Sequence, residues 1–197
     1  CLVGSEMCIR DRLAPKTFLD AVVDPFLEFF NRKNLNSALL ILLFLVLYKL
    51  GDNMATALST PFYLDLGFSR TEIGTIAKFS ALWASIAGSI IAGLVMLKLS
   101  INRALWVFGV VQMLSILGFA VLAQLGHNPY ALFAAVSFEY LGVGLGTVAV
   151  TAFIAQQAAR QFSATQIALL TSLTAVPRIF ANASTGFIIE AIGYFHF

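Results

Sequence analysis

Residues 38–60 of the chain read ALLILLFLVLYKLGDNMATALST, and this stretch decides the fold. It begins with eleven unbroken apolar residues, and its length is close to the roughly 20 residues that a helix needs to cross a bilayer. Lys49, Asp52 and Asn53 follow in the middle of the same segment. A charge in hydrocarbon costs at least about 2.5–3.5 kcal/mol on insertion scales, so these residues are expected to face protein or a watery cavity.

The polar residues of this segment share one face of the predicted helix. Lys49 and Asp52 are three residues apart, so their side chains can pair on a helix surface. Asn53 is adjacent to Asp52, and Thr56 lies one turn beyond it, whereas the opposite face is Leu, Val and Ile. This pattern favours a cavity-lining helix of a secondary transporter.

The composition indicates an integral membrane protein. Of the 197 residues, 59% are hydrophobic and 11% are charged, and the mean hydropathy is +0.88. A soluble domain has about 25% charged residues, so this chain lacks the charges to cover a soluble surface. The net charge of +2, without a long basic run, gives no indication of a nucleic-acid partner.

Residues 1–12 are interpreted separately from the rest of the chain. Cys1 and Cys8 form neither a disulfide framework nor a zinc-binding pattern. Residues 1–12 are not a signal peptide, because they contain no apolar core followed by a small-residue cleavage site. They resemble translated adapter read-through and are interpreted as a non-native extension. Since Phe197 follows an apolar segment without a polar tail, we expect a fragment that is cut at both ends.

Residues 13–36 form a predicted cytoplasmic loop with an amphipathic helix. Its apolar positions recur at steps of three and four: Phe18, Val22, Phe26, Phe29 and Phe30. This helix is expected to pack on the bundle or lie in the membrane interface, with a regulatory docking helix as the alternative. Pro25 is expected to divide or kink it.

Five membrane spans are predicted within residues 37–197, at about 38–60, 72–97, 104–125, 130–156 and 165–191. The third is almost purely apolar and is interpreted as lipid-facing scaffold. Small residues recur every four positions in the second span, which lets two helices approach closely: Ser80, Ala84, Gly88 and Ala92. Gly142 and Gly146 predict the same kind of contact in the fourth span.

Loop charges predict the orientation, because cytoplasmic loops carry an excess of Lys and Arg. The basic loops contain Arg32, Lys33, Lys98, Arg103 and Arg160, so the chain is expected to start inside and span five to end outside. A sixth, final span is expected to be missing.

Embedded ionisable residues are the candidates for function. Desolvation disfavours the charged form of a carboxylate, so Asp52 and Glu139 are candidate proton-coupling groups. Asp52 has the alternative of a structural pair with Lys49, and Glu139 of a salt bridge to Arg178 or Lys49. Lys78 lies near the start of its span and either snorkels or lines the cavity.

Arg178 follows Pro177 inside the fifth span, where proline bends a helix and frees a carbonyl. Its planar guanidinium suits a substrate carboxylate, and Glu139 is the structural alternative. The GVGLG sequence at 142–146 lacks the third glycine and the preceding strand of a nucleotide loop. The two histidines, His127 and His196, are not at metal-ligand spacing, so neither a cofactor nor a metal is expected.

Several longer segments resemble the AmpG muropeptide permeases of the major facilitator superfamily: LYKLGDNMATALSTPFYLDLGFSRTEIG, INRAL, FEYLGVGLGT and FSATQIALLTSLTAVPRIFANASTG, together with AVVDPFLEFFNRKN before them. The resemblance covers about residues 14–195. It implies an all-α membrane fold: five transmembrane helices of a major-facilitator C-terminal half, preceded by an amphipathic loop helix. Lys98 and Arg103 are in the turn where that superfamily has its cytoplasmic basic motif.

The resemblance also implies a function in the bacterial inner membrane. Such permeases import anhydro-muropeptides, N-acetylglucosaminyl-anhydro-N-acetylmuramyl peptides, with the proton motive force, for cell-wall recycling. The implied partners are the substrate, a proton, the lipid bilayer and the N-terminal half of the carrier. From residue type and depth, Asn53, Thr56 and Tyr140 suit sugar hydroxyls, and Lys49 and Arg178 suit carboxylates.

Three other functions are considered. Another major-facilitator carrier, for acetyl-CoA or a sugar, is the nearest alternative. A membrane-embedded enzyme with Glu139 as acid–base would need a catalytic histidine or a second carboxylate at headgroup level, and neither is visible. A purely structural subunit would not need charges at the middle of its spans.

Overall fold

The computed structural model describes residues 18–158 and 163–196, and this part of the chain contains helices and no strand. The predicted extension at residues 1–12 and the link that contains Arg160 lie outside it. The six helices are α1 (Phe18–Lys33), α2 (Leu35–Asp65), α3 (Arg70–Met96), α4 (Ile101–Leu125), α5 (Pro129–Gln157) and α6 (Ser163–His196). The predicted all-α fold is confirmed. A helix satisfies its own backbone polar groups, as a membrane segment must.

Four helices of the described part, α2 to α5, are long and apolar enough to cross a membrane. They coincide with the first four predicted spans. The fifth predicted span lies within α6, which is helical over its whole length, and its membrane-spanning character stays a prediction.

Many large apolar side chains on these helices are exposed outside the bundle. Among them are Leu40, Leu97, Trp106 and Met113, each at least 65% exposed. A soluble protein rarely exposes so continuous an apolar surface, so we assign these side chains to lipid contact.

Pro25 and Pro61 do not end or divide their helices as the sequence predicts. The predicted first span ends near Pro61, but α2 continues to Asp65 because Phe62 and Tyr63 are buried in the bundle. Proline removes one backbone hydrogen bond, and tertiary packing on both sides preserves the helix. Pro25 does not divide α1 either, which is continuous through that position.

α5 is the most buried helix of the described bundle, and it packs against both α3 and α4, while α2 packs against α6. The contact with α3 brings backbone against backbone. A Cβ atom on Gly88 would lie 2.3 Å from the Leu141 carbonyl oxygen, and one on Gly144 would lie 2.5 Å from that of Ser85. Small residues therefore allow the close approach that the sequence predicts for α3.

The apolar core has two parts, one toward each end of the bundle. One contains Phe29, Leu45, Phe108 and Ile154, and the other contains Phe62, Tyr63, Leu122 and Leu132. Between them lie buried polar side chains near the middle of α2, α4 and α5: Asp52, Gln112, Ser115 and Glu139. The fold thus encloses a polar layer at mid-depth.

α1 docks on the bundle through one apolar and several polar contacts. Phe29 is buried in the core. The Glu28 carboxylate accepts hydrogen bonds from Arg32 at 3.0 Å and from the Gln166 amide at 2.6 Å. Arg32 also donates to the backbone carbonyl of Gln157. α1 therefore joins the end of α5 to the start of α6.

At the opposite end, the loops before α3 and α5 contact each other. Ser69 and Glu72 form a capping box at the start of α3. His127 Nε2 lies 3.4 Å from the Glu72 carboxylate, and the Asn128 side chain accepts from the first backbone N–H groups of α5. Gly126 adopts a positive φ of 67°, as a tight turn requires.

Candidate functional site

Lys49 of α2 is the centre of the polar layer. Its Nζ donates to Asp52 Oδ2 at 2.8 Å and to Thr147 Oγ1 of α5 at 3.1 Å. The side chains of Lys49 and Asp52 are only 12% and 7% exposed. The predicted pairing on one helix face is therefore present. Lys49 also links α2 to α5, two helices that are not neighbours along the chain.

The pairing of Asp52 is incomplete. Its Oδ1 atom is buried and has no hydrogen-bond partner within the described residues. A buried acceptor without a donor costs free energy, and such an atom calls for an explanation such as a catalytic or binding role. Oδ1 is available to a proton or to a donor group of a ligand.

Two further candidates lie along the same side of α2. The Asn53 side chain donates to the Thr174 carbonyl of α6 at 3.3 Å, three residues before the buried Pro177. The Thr56 hydroxyl donates to the Asp52 carbonyl of its own helix at 2.8 Å. Since its single hydrogen is used there, Thr56 can offer another group only an acceptor.

Glu139 of α5 is completely buried and faces α4. Its Oε2 atom lies 2.7 Å from Ser115 Oγ, and its Oε1 atom has no partner in the described structure. The same Ser115 hydroxyl lies 2.8 Å from the Gln112 carbonyl oxygen. The expected salt-bridge alternative is not formed, because neither Arg178 nor Lys49 pairs with Glu139 among the described residues.

Tyr140 and Arg178 are less enclosed than the acidic candidates. Tyr140 is half-buried and close enough to Arg178 for an electrostatic interaction. The Arg178 side chain is exposed, and it forms no ion pair in the part of the chain that the structure describes. The two residues are therefore more accessible than the side chains of the buried layer.

The remaining basic candidates are at the helix ends. Lys98 and Arg103 are exposed on either side of the turn between α3 and α4. Lys78 is exposed near the start of α3, as snorkelling requires, and does not belong to the polar layer. Within residues 18–158 and 163–196, no group of three His, Cys, Asp or Glu side chains could hold a metal ion.

Sequence reasoning missed the contribution of α4. The interpretation of this span as lipid-facing scaffold is wrong for one of its faces, because Gln112 and Ser115 are buried against α5. The available signal is their spacing: two polar residues, three positions apart, near the middle of a mostly apolar span. Thr147 was also missed, since a threonine in a membrane helix commonly bonds its own backbone.

Comparison with known proteins shows which sequences this chain is similar to. No protein-family model matches the chain. It is 42% identical to the anhydromuropeptide permease of Escherichia coli K12, over 91% of the chain and 36% of that protein. It is 45% identical to an uncharacterised protein of Haemophilus influenzae, over 91% of the chain and 44% of that protein. A protein assigned as transporter AmpG 4 of Rickettsia conorii is 31% identical, over 98% of the chain and 46% of its own length.

The chain thus spans less than half the length of these relatives. The similarity nevertheless extends over nine-tenths of the chain and includes all the helices that carry the polar layer. Together with the apolar helices, it identifies a multi-pass protein of the bacterial inner membrane. The chain belongs to the family of the AmpG-type permeases.

Proposed function

We propose that this chain is part of a proton-driven carrier that imports anhydro-muropeptides, N-acetylglucosaminyl-anhydro-N-acetylmuramyl peptides, for cell-wall recycling. The observation that carries the proposal is the incompletely paired Lys49–Asp52 group halfway along a membrane helix. An ionisable pair at that depth is costly to keep, and it is retained typically where a solute or proton passes. The relative from Escherichia coli is named an anhydromuropeptide permease, which supports this substrate class.

The proposed substrate contacts follow from the chemistry of the side chains. Lys49 and Arg178 would bind the peptide carboxylates, since an ammonium and a guanidinium group both donate hydrogen bonds to carboxylate oxygens. Asn53, Thr56 and Tyr140 would bind sugar hydroxyl groups. The Asn53 bond to Thr174 is long, at 3.3 Å, so a substrate hydroxyl can replace it at little cost.

The proposed coupling groups are Asp52 and Glu139. Each has one carboxylate oxygen without a hydrogen-bond partner in the described structure. Such an oxygen can take up a proton without first breaking another contact. For Glu139, which has no ion pair in the described structure, uptake of a proton also removes an unpaired buried negative charge, which lets the surrounding helices rearrange at lower cost.

We propose further that the five spans act as the C-terminal half of a major-facilitator carrier, with an N-terminal half as partner. Alternating access in such carriers comes from one half rocking against the other around a site near the bilayer midplane. The position of the polar layer between the two apolar clusters supports a site at that depth.

Uptake by the complete carrier that contains this sequence tests the proposal. In vesicles with an imposed inward proton gradient, we expect accumulation of labelled anhydro-muropeptide. Asp52→Asn and Glu139→Gln are each expected to abolish this accumulation. Asp24→Asn is the matched control, because Asp24 is an exposed carboxylate on α1 and should not affect uptake.

Competition then identifies the substrate class. Unlabelled anhydro-muropeptide should reduce uptake, whereas acetyl-CoA and free sugars should not. Inhibition by acetyl-CoA or a sugar instead would favour the alternative major-facilitator carrier. Unchanged uptake in both carboxylate variants would remove Asp52 and Glu139 as coupling groups.

A further inference from the structure

Ser115 of α4 has a hydroxyl group with two neighbours that both accept hydrogen bonds. Its Oγ lies 2.8 Å from the carbonyl oxygen of Gln112, one turn earlier on α4, and 2.7 Å from Oε2 of Glu139 on α5. Ser115 and Glu139 are both completely buried. Bulk solvent therefore supplies no further donor to this contact.

Counting hydrogen atoms constrains this arrangement. A serine hydroxyl has one hydrogen and can donate to only one of the two oxygens. If it donates to the Gln112 carbonyl, the close contact with Glu139 is favourable only when the carboxyl group is protonated and donates to Ser115 Oγ. If Glu139 is ionised, the hydroxyl must turn and donate to the carboxylate.

We propose that Ser115 is a positioning residue for the exchangeable proton of Glu139. With Glu139 protonated, two hydrogen bonds run in series from Glu139 through Ser115 to the Gln112 carbonyl. When the proton leaves to water, rotation of the Ser115 hydroxyl gives the carboxylate a hydrogen bond. The Gln112 carbonyl loses only its second bond, because the helical bond from the N–H group four residues later remains.

The backbone of α5 holds the two side chains in contact. Gly142 lies next to this site, and a Cβ atom there would be 3.0 Å from Ser115 Oγ. On the packed helices, the titratable groups that face Glu139 are Lys49, Asp52 and Tyr63 of α2 and Tyr140 of α5 itself. Ser115 is the side chain that contacts the carboxyl group directly in the described structure.

This role deepens the proposed function, since it rests on Glu139 as a coupling group, but its test needs no substrate. The complete carrier that contains this sequence is placed in lipid nanodiscs, and the infrared carbonyl band of protonated carboxyl groups is followed against pH. Loss of the band in Glu139→Gln assigns it. Ser115→Ala should then raise the titration midpoint of Glu139 by about one pH unit, because the carboxylate loses a stronger, charge-assisted hydrogen bond than the protonated carboxyl group does.

Two variants separate positioning from packing. Ser115→Thr retains the hydroxyl and should restore a midpoint close to that of the parent chain. Ser80→Ala is the matched control, because Ser80 is also buried and also donates to a carbonyl three residues earlier, that of Ala77 at 3.1 Å. Its removal should leave the Glu139 band unchanged.

The outcomes are distinct. An unmoved midpoint in Ser115→Ala, an equal shift in Ser80→Ala, or no band assignable to Glu139 would each overturn the role of Ser115. A shifted midpoint in a carrier that takes up no muropeptide would refute the proposed function and leave the role of Ser115 intact.

Discussion

Lys49 and Asp52 form a buried pair for which we propose both a structural and a functional role. The pair is buried, and desolvation of two charges offsets much of their mutual attraction, so its net contribution to stability is small. Removing one partner is different, because it leaves the other charge buried and alone. The two roles can therefore be separated by comparing single and double substitutions.

Lys49→Ala is expected to destabilise the chain by about 3 kcal/mol, because Asp52 then loses its only side-chain partner in the described structure. Adding Asp52→Asn should recover most of this loss, since the double variant contains no buried charge at the site. A double-mutant cycle from SDS unfolding in mixed micelles measures both effects.

Lys78→Ala provides the control for that cycle. Lys78 is an exposed lysine on α3, outside the polar layer, and its removal should change stability by less than about 0.5 kcal/mol. If Lys49→Ala cost no more than Lys78→Ala, the pair would contribute nothing to the fold.

At the scale of elements, the contact between α3 and α5 determines where α5 can present its polar side chains. The two backbones touch at Gly88 and Gly144, so neither position has room for a Cβ atom. Gly93 lies on the same helix as Gly88 but has nothing within 4 Å of its Cβ position. Gly88 and Gly93 therefore differ in whether the position can accept a side chain.

Gly88→Ala is expected to destabilise the chain by about 1–3 kcal/mol, because the added methyl group overlaps the Leu141 carbonyl. Gly93→Ala should be neutral or stabilising by about 0.5–1 kcal/mol, since alanine lowers the entropy cost of helix formation. The same SDS unfolding measurement compares the two. Equal effects would mean that the close approach of α3 and α5 is absent in the membrane.

The sequence predicts the helices better than it predicts their partners. Long apolar runs determine where α2 to α5 lie, and the four-residue spacing of small residues identifies the face of α3 that is packed. The predicted helix ends are less accurate, as at Pro61, because packing of the following residues decides whether a helix continues. The buried face of α4 was missed because Gln112 and Ser115 alone give a weak pattern within a helix of 25 residues.

Over the whole molecule, the polar layer was only partly predictable. The charge pattern within α2 predicts the Lys49–Asp52 pair, since both residues are on one helix and their spacing fixes the geometry. The contacts of Glu139 with Ser115, and of Lys49 with Thr147, join different helices. Such contacts depend on how the helices are rotated against one another, which periodicity alone does not determine.

The orientation of the bundle in the membrane is a property of the whole chain, because it depends on the charges of all its loops. The excess of Lys and Arg at one end predicts that the turn with Lys98 and Arg103 lies in the cytoplasm and that the start of α3, at Arg70, lies in the periplasm. These ends are separated by the 27 residues of α3, or about 40 Å at 1.5 Å per residue, enough to span a bilayer. Single cysteines at the two ends, with Cys1 and Cys8 replaced by serine, report the orientation.

In intact spheroplasts, a membrane-impermeant maleimide should label Arg70→Cys at once and Lys98→Cys only after permeabilisation. Both positions are exposed in the structure, so access to the reagent depends only on the side of the membrane. Ile90→Cys, on the lipid-facing surface of α3, is the control and should stay unlabelled in both conditions, because the reagent does not enter hydrocarbon. Immediate labelling at position 98 with protection at position 70 would show the opposite orientation.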